Sequence, residues 1–213
     1  KQVKSKQRVA DHGEVFTAER EVNSMLDLVK QETQRIDSRF LEPACGDGNF
    51  LSEILSRKLA IVKSKYKKSL YDYERNSLLA LSSIYGVDIL HDNVIACRER
   101  LYAIWDIEYK KVCKKECNDD TCNAAKFILS RNIVCGNALS LCCVDEFGND
   151  TNEPIVFSEW TFPFNDSKMQ RKDYTFDELL NQDDNTIKKS KRNQQIDVFS
   201  GSQPNEEGKF LKQ

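Results

Sequence analysis

Residues 40–50 read F-L-E-P-A-C-G-D-G-N-F, and no other stretch of the chain restricts its possible folds as strongly. Phe40-Leu41-Glu42 is a short apolar strand. Pro43 to Asn49 form a turn with two glycines, and Phe50, Leu51, Ile54 and Leu55 then recur at helical spacing. Strand, glycine turn and helix in that order open a parallel α/β unit. In a doubly wound sheet the turn leaving the first strand faces the ligand crevice, and glycine there lets the backbone approach a ligand that any Cβ would push away. Gly46 and Gly48 stand where that need arises.

The alternation continues downstream. Residues 20–30 place Val22, Met25, Leu26 and Val29 on one helical face, and residues 63–83 are again helical, with the 66–81 part an extra helix in the first strand-to-strand connection. Ile84 to Ile89 form a second strand, Asp92 caps a helix carrying Val94, Cys97 and Leu101, and Ile133 to Ala138 form a third strand and its exit turn. Pro154 to Phe157 read as a fourth. This pattern predicts a parallel α/β sheet covered by helices on both faces, a three-layer domain. From residue 166 onward Asn, Gln, Asp, Lys and Ser dominate, with only Phe176, Leu179 and Leu180 marking a short helix. The expected organisation is therefore one domain over 1–165 and a polar tail over 166–213.

With 213 residues and 39% hydrophobic content, one domain of about 150 residues plus extensions is affordable and two full domains are not. A net charge of −2 conceals 31% charged residues of both signs, so nucleic-acid contact would have to come from local clusters. Lys63, Lys65, Lys67 and Lys68 around Tyr66 are one such cluster, though a solvated helix face explains it more simply. No apolar run reaches the roughly eighteen residues of a membrane span, and the first residues lack the apolar core of a signal peptide. The expectation is a soluble, cytoplasmic protein without membrane contact. The eight cysteines are scattered in a way that fits reduced thiols better than a secreted disulfide framework. Cys113, Cys117 and Cys122 are close enough in sequence to hold zinc if a fourth ligand joined them, but the spacing departs from paired C-x2-C knuckles and no metal site is assigned.

The segment 40–50 resembles the first motif of adenine-specific (N6) DNA methyltransferases of restriction-modification systems, which use it to hold the methionine part of S-adenosyl-L-methionine. Two further segments resemble that family in the expected order. H-G-E-V-F-T-A at 12–18 is similar to the element preceding the first motif, and Y-G-V-D-I-L at 85–90 ends a strand in an acid. The resemblance covers residues 8 to about 140. It implies a Rossmann-like S-adenosylmethionine-dependent methyltransferase fold, complete or truncated in its later strands. It further implies cofactor contacts from Phe16, Thr17, Glu42, Pro43, Ala44, Cys45, Gly46, Asp47, Gly48, Asn49, Phe50, Asp88 and Ile89, with Asp88 gripping ribose hydroxyls through two carboxylate oxygens. Asn137, in C-G-N-A-L, is similar to the position that reads the cofactor's adenine, and Ala138 and Leu139 accompany it. For Asp88 and Asn137 an ordinary cap or turn residue is the competing explanation.

The family's catalytic motif is an Asn or Asp followed by Pro-Pro and an aromatic residue. It holds the flipped-out adenine's amino group in line with the sulfonium methyl. Pro43, Pro154, Pro163 and Pro204 are each isolated, and no catalytic residue is assigned. Trp160, in I-V-F-S-E-W-T-F, follows the expected fourth strand, where core packing accounts for it better than base stacking. Three readings stay open: a methyltransferase whose catalytic and DNA-reading parts come from another domain, subunit or restriction-modification partner protein; a degenerate methyltransferase-like binding module; and a methyltransferase of small molecules or proteins on the same fold.

Overall fold

The computed structural model describes residues 5–12, 15, 17–164, 168–181, 193–197, 203–204 and 210–211. Helices α1 (Lys6–His12), α2 (Glu19–Leu28) and α3 (Lys30–Thr33) precede strand β1 (Phe40–Glu42). Then come α4 (Asn49–Tyr66), α5 (Leu70–Ser82), β2 (Ile84–Asp88), α6 (His91–Cys113), α7 (Asp119–Asn132) and β3 (Ile133–Asn137). Strands β4 (Cys142–Val144), β5 (Asp150–Pro154), β6 (Val156–Thr161) and β7 (Lys168–Thr175) lead to α8 (Phe176–Leu180). Strands β8 (Asn193–Asp197), β9 (Gln203–Pro204) and β10 (Phe210–Leu211) follow.

Strands β1 to β5 form one mixed sheet in sequence order. β1, β2 and β3 run parallel, and β4 and β5 return antiparallel at the β3 edge. Phe40 lies opposite Ile84, Glu42 opposite Gly86, and Asp88 opposite Cys135. Alternation along each strand then puts Phe40, Glu42, Ile84, Gly86, Asp88 and Cys135 on one face and Tyr85, Val87 and Val134 on the other. The first face is buried under α4 to α7 in a core that includes Leu51, Leu55, Leu78, Leu101 and Leu129. The second packs Tyr85 and Val87 against Ile155, Phe157 and Phe176.

Helices α4 and α6 have 18 and 23 residues, roughly 27 and 35 Å at 1.5 Å per residue, far longer than the strands they follow. They overrun the sheet, and α5 and α7 bring the chain back to the starts of β2 and β3. Each crossover is thus a helical hairpin, and the four helices form a bundle around Trp105 and Tyr109, stacked 4.8 Å apart. The bundle's polar groups are paired: the Tyr109 hydroxyl donates to buried Glu74, and Trp105 Nε1 donates to Ser77 Oγ at 3.2 Å. Ser69 and Asn118 cap α5 and α7 through their side chains. At the start of the parallel strands the buried Lys58 donates to the Ile36 and Ser38 carbonyls and to Ser83 Oγ. Even so, burial pushes its ammonium down to about 7, the charges of Asp37 and Glu32 offsetting this only partly.

Several expectations are corrected. The sheet is mixed, and among the described residues α4 to α7 all cover one face, while a strand and the short α8 cover the other. The helical stretch 63–83 is two helices, α4 continuing to Tyr66 and α5 starting at Leu70. Residues 154–157 do not form a fourth parallel strand. They end β5 and begin β6, which pairs antiparallel with β7; the connection after β3 is taken up by the antiparallel strands β4 and β5 and holds no helix that could carry the chain back for a parallel strand. Part of the expected tail is ordered on the domain: β7 pairs with β6 from Gln170 to Thr175, and a Thr175–Glu178 capping box starts α8, whose Phe176 is buried. On α2, Val22 and Leu26 are buried as expected, but Met25 is exposed, as is Val29 just beyond the helix. Cys113 and Cys117 are joined by a disulfide instead of remaining thiols, and among the described residues no three His, Cys, Asp or Glu side chains converge on a metal position. No described helix is long and apolar enough to cross a membrane.

Candidate functional site

The carboxyl ends of β1, β2 and β3 lie side by side, each two residues further along than its neighbour in register. They bring Glu42, Asp88 and Asn137 to one edge of the sheet. The turn after β1 folds onto β2: Cys45 N donates to Val87 O at 2.8 Å, and Gly46 N donates to Asp88 Oδ2 at 2.8 Å. Gly46 has φ 53° and Gly48 φ 90°, both in the region that favours glycine. Their reasons otherwise differ. Gly46 presents its amide to Asp88, whereas a Cβ on Gly48 would stand 2.8 Å from Cys97 Sγ on α6, so Gly48 serves packing.

Asp88 is buried and richly bonded. Its Oδ1 accepts from Leu90 N at 2.9 Å and from Asn93 Nδ2 at 3.2 Å, in addition to the Gly46 bond on Oδ2. It is therefore both the turn residue opening α6 and the residue facing the glycine turn. The two free carboxylate oxygens expected for a pair of hydroxyls are not both open: Oδ1 already has two donors, and one acceptor direction remains on Oδ2. Glu42 accepts from the Ala44 amide, and burial raises its pKa more than that bond lowers it. The Cys45 thiol, hydrogen-bonded to Cys97 and buried, is held well above the ordinary thiol range, and Cys135, partly buried beside the Asp88 charge, is pushed up to about 11. Both remain thiols at neutral pH and are poor nucleophiles.

The remaining expected residues separate into two groups. Thr17, Asp47 and Asn49 border one cleft of about 550 Å³ on the α2 side of the turn, with Ser52 and Arg100, and Asn49 Nδ2 donates to Thr17 O at 3.3 Å. Pro43 and Ala44 are exposed at the edge, Phe50 is partly buried against the helical core, and Ile89 O accepts from Cys135 Sγ at 3.5 Å. Phe16 lies outside the described residues. Asn137 is held away from an open adenine-reading role, since Nδ2 donates to Asp150 Oδ1 at 2.9 Å and Oδ1 accepts from Leu139 N at 3.0 Å. Ala138 packs towards the Tyr85 cluster, and Leu139 is 96% exposed. Trp160 is buried, donating through Nε1 to Asn132, so it is a packing residue.

Sequence reasoning missed the face of α6 that carries the turn. Asn93, Cys97 and Arg100 follow at i, i+4 and i+7, the spacing of one helical face. Asn93 bonds Asp88, Cys97 packs on Gly48 and Cys45, and Arg100 Nη1 donates to Asn49 Oδ1 at 2.6 Å and Asp47 Oδ1 at 3.2 Å. That spacing was the available signal. A further missed residue is Arg8 of α1, whose Nη1 and Nη2 donate to Asp92 Oδ2 and Oδ1 at 2.7 and 3.2 Å, with Nη2 also donating to Asn93 Oδ1 at 3.2 Å.

Chemically, the edge offers carboxylates and backbone groups at the exit of parallel strands. Its nearby guanidinium groups are committed to Asp47, Asp92 and backbone carbonyls. Such an edge suits hydroxyls and cationic groups better than a pyrophosphate. No family model, no curated protein and no solved structure matches this chain.

Proposed function

We propose that the chain binds S-adenosyl-L-methionine at this edge and is the cofactor-binding part of a DNA adenine-N6 methyltransferase of the restriction-modification type. One observation carries the reading: a glycine turn after the first parallel strand donates its Gly46 amide to Asp88 at the end of the second. This joins the motif whose sequence resembles that family to the acid the family places against ribose. Glu42 adds a second carboxylate on the adjacent strand, and a carboxylate-lined edge favours an ammonium or sulfonium ligand over a dinucleotide phosphate. DNA is the proposed substrate from the resemblance alone.

A second reading is cofactor binding without methyl transfer by these residues. It is favoured by the position of β1, which among the described residues ends the five-stranded sheet, whereas doubly wound sheets continue beyond their first strand to build the other half of the crevice. One titration and one assay separate the readings. Calorimetry with S-adenosylmethionine should give saturable binding, with NAD as the contrasting ligand, and Asp88→Ala should weaken it by about 1.5–3 kcal/mol through a lost charge-assisted bond. Labelled methyl transfer to mixed-sequence DNA then distinguishes catalysis from binding alone. Absence of saturable binding would refute both readings.

A further inference from the structure

We infer that Arg8 is a positioning residue for this edge, so that docking of α1 and binding of the ligand at Asp88 are one linked equilibrium. The inference rests on the cofactor-binding reading. Asn93 is 1% exposed and uses both ends of its amide, Nδ2 towards Asp88 and Oδ1 accepting from Arg8. Arg8 also holds Asp92, in the first turn of α6, with two parallel bonds. A guanidinium on the amide oxygen polarises the amide and makes its N–H a stronger donor, so the bond to Asp88 strengthens when α1 is docked. The same bond from Arg8 favours the amide orientation in which the oxygen faces Arg8 and the N–H faces the carboxylate. The chain Arg8–Asn93–Asp88–Gly46 therefore runs from an exposed N-terminal helix into the glycine turn through side chains a few ångströms apart.

The geometry on the other side of the turn is complementary. Thr17 O is fastened to Asn49 at the start of α4, so Arg8 and Thr17 grip the two helices that flank the Gly46–Asp88 bond. Linkage requires that whatever the helix does to the edge, a ligand at the edge does to the helix.

The test uses calorimetric titration of S-adenosylhomocysteine, which lacks the sulfonium charge, into the full chain and into Arg8→Ala and Arg8→Lys, with hydrogen exchange of the α1 amides followed at saturation. Arg8→Ala should bind about tenfold more weakly and gain less in melting temperature from saturating ligand than the unsubstituted protein does, and Arg8→Lys should recover only part because it cannot fork onto Asp92 and Asn93. Saturating ligand should slow α1 exchange in the unsubstituted protein and leave it unchanged in Arg8→Ala. Equal dissociation constants in all three proteins, or α1 exchange indifferent to ligand, would overturn the linkage while leaving the cofactor reading intact. An unsubstituted protein that binds neither S-adenosylhomocysteine nor S-adenosylmethionine would overturn the cofactor reading itself, and the linkage with it.

Discussion

At the scale of single residues, Asp88 is defined by how little of it is left over. A carboxylate has about four acceptor directions, and Leu90 N, Asn93 Nδ2 and Gly46 N occupy three. The one remaining direction, on Oδ2, admits a single hydroxyl. On the proposed cofactor function, the 2′-deoxy and 3′-deoxy forms of S-adenosylhomocysteine should therefore behave unequally: one should bind about tenfold or more weakly, the other close to the parent, because a hydrogen bond to a charged group contributes about 1.5–3 kcal/mol. Equal losses would mean that Asn93 releases its bond to make room. Gly48 makes a different prediction. Gly48→Ala has to accommodate both φ 90° and a Cβ 2.8 Å from Cys97 Sγ, and should lower stability by more than about 1 kcal/mol. Combining it with Cys97→Ala should recover the steric part and leave the backbone part, as read from urea midpoints. If the double variant is no more stable than the sum of the single changes, the thiol is not what Gly48 avoids.

At the scale of elements, Lys58 ties the 36–38 segment to Ser83 and so aligns the starts of β1 and β2. Its folded pKa of about 7 lies below the unfolded lysine value of about 10.4. Between these values the unfolded chain binds the extra proton, so this group makes stability rise with pH across that window and contributes no slope below it. Lys58→Met should cost about 1–3 kcal/mol through unpaired carbonyls, and its deficit should widen from pH 7 to pH 10. A deficit constant with pH would place the titration elsewhere. The same scale explains what the sequence disclosed. The strand, the turn and the start of the helix over residues 40–55 are local, with every signal inside one window, and were legible, whereas the run of α4 on to Tyr66 was not. So was an extra helix before β2. Helix α7 was not, since its first turn is polar and its apolar residues Ala125, Ile128 and Leu129 fall in a stretch the cysteine cluster obscures. Strand β7, K-M-Q-R-K-D-Y-T, reads as solvated chain, yet Arg171 is buried with its guanidinium over Phe127 and Trp160 and beside Asp173. A charged residue buried by a cation–π contact and an ion pair leaves no apolar mark to find. Asn93, Arg100 and Arg8 were missed for a related reason: their partners lie 5, 51 and 84 residues away, and only the fold brings the more distant ones together.

At the scale of the molecule, the question is whether β6 and β7 belong to the same cooperative unit as the bundle. Four contacts argue that they do. Trp160 Nε1 donates to Asn132 at the end of α7, the Phe127 ring meets the Trp160 ring edge-on at 5.9 Å, Glu159 pairs with Arg39 at 3.0 Å, and the Tyr85 hydroxyl donates to Ser158 O at 3.2 Å. Together they tie β6 to the starts of all three parallel strands, so opening β6 would expose Tyr85 and Val87 on the sheet face and strip the end of α7. The cost of that exposure makes separate unfolding unfavourable. The chain has two tryptophans, Trp105 inside the bundle and Trp160 on β6, both buried, and they report on the two regions independently. In Trp105→Phe the remaining fluorescence should shift to the red at the same urea concentration at which helical circular dichroism is lost, and the same coincidence should hold in Trp160→Phe. Fluorescence from Trp160 that shifts at lower urea than the helical signal would show β6 and β7 to be an appendage on an independently stable bundle and parallel sheet. Coincident transitions would instead make the residues after Pro154 part of what holds the Tyr85 face closed, and so of what keeps the Asp88 edge of the same strand in place.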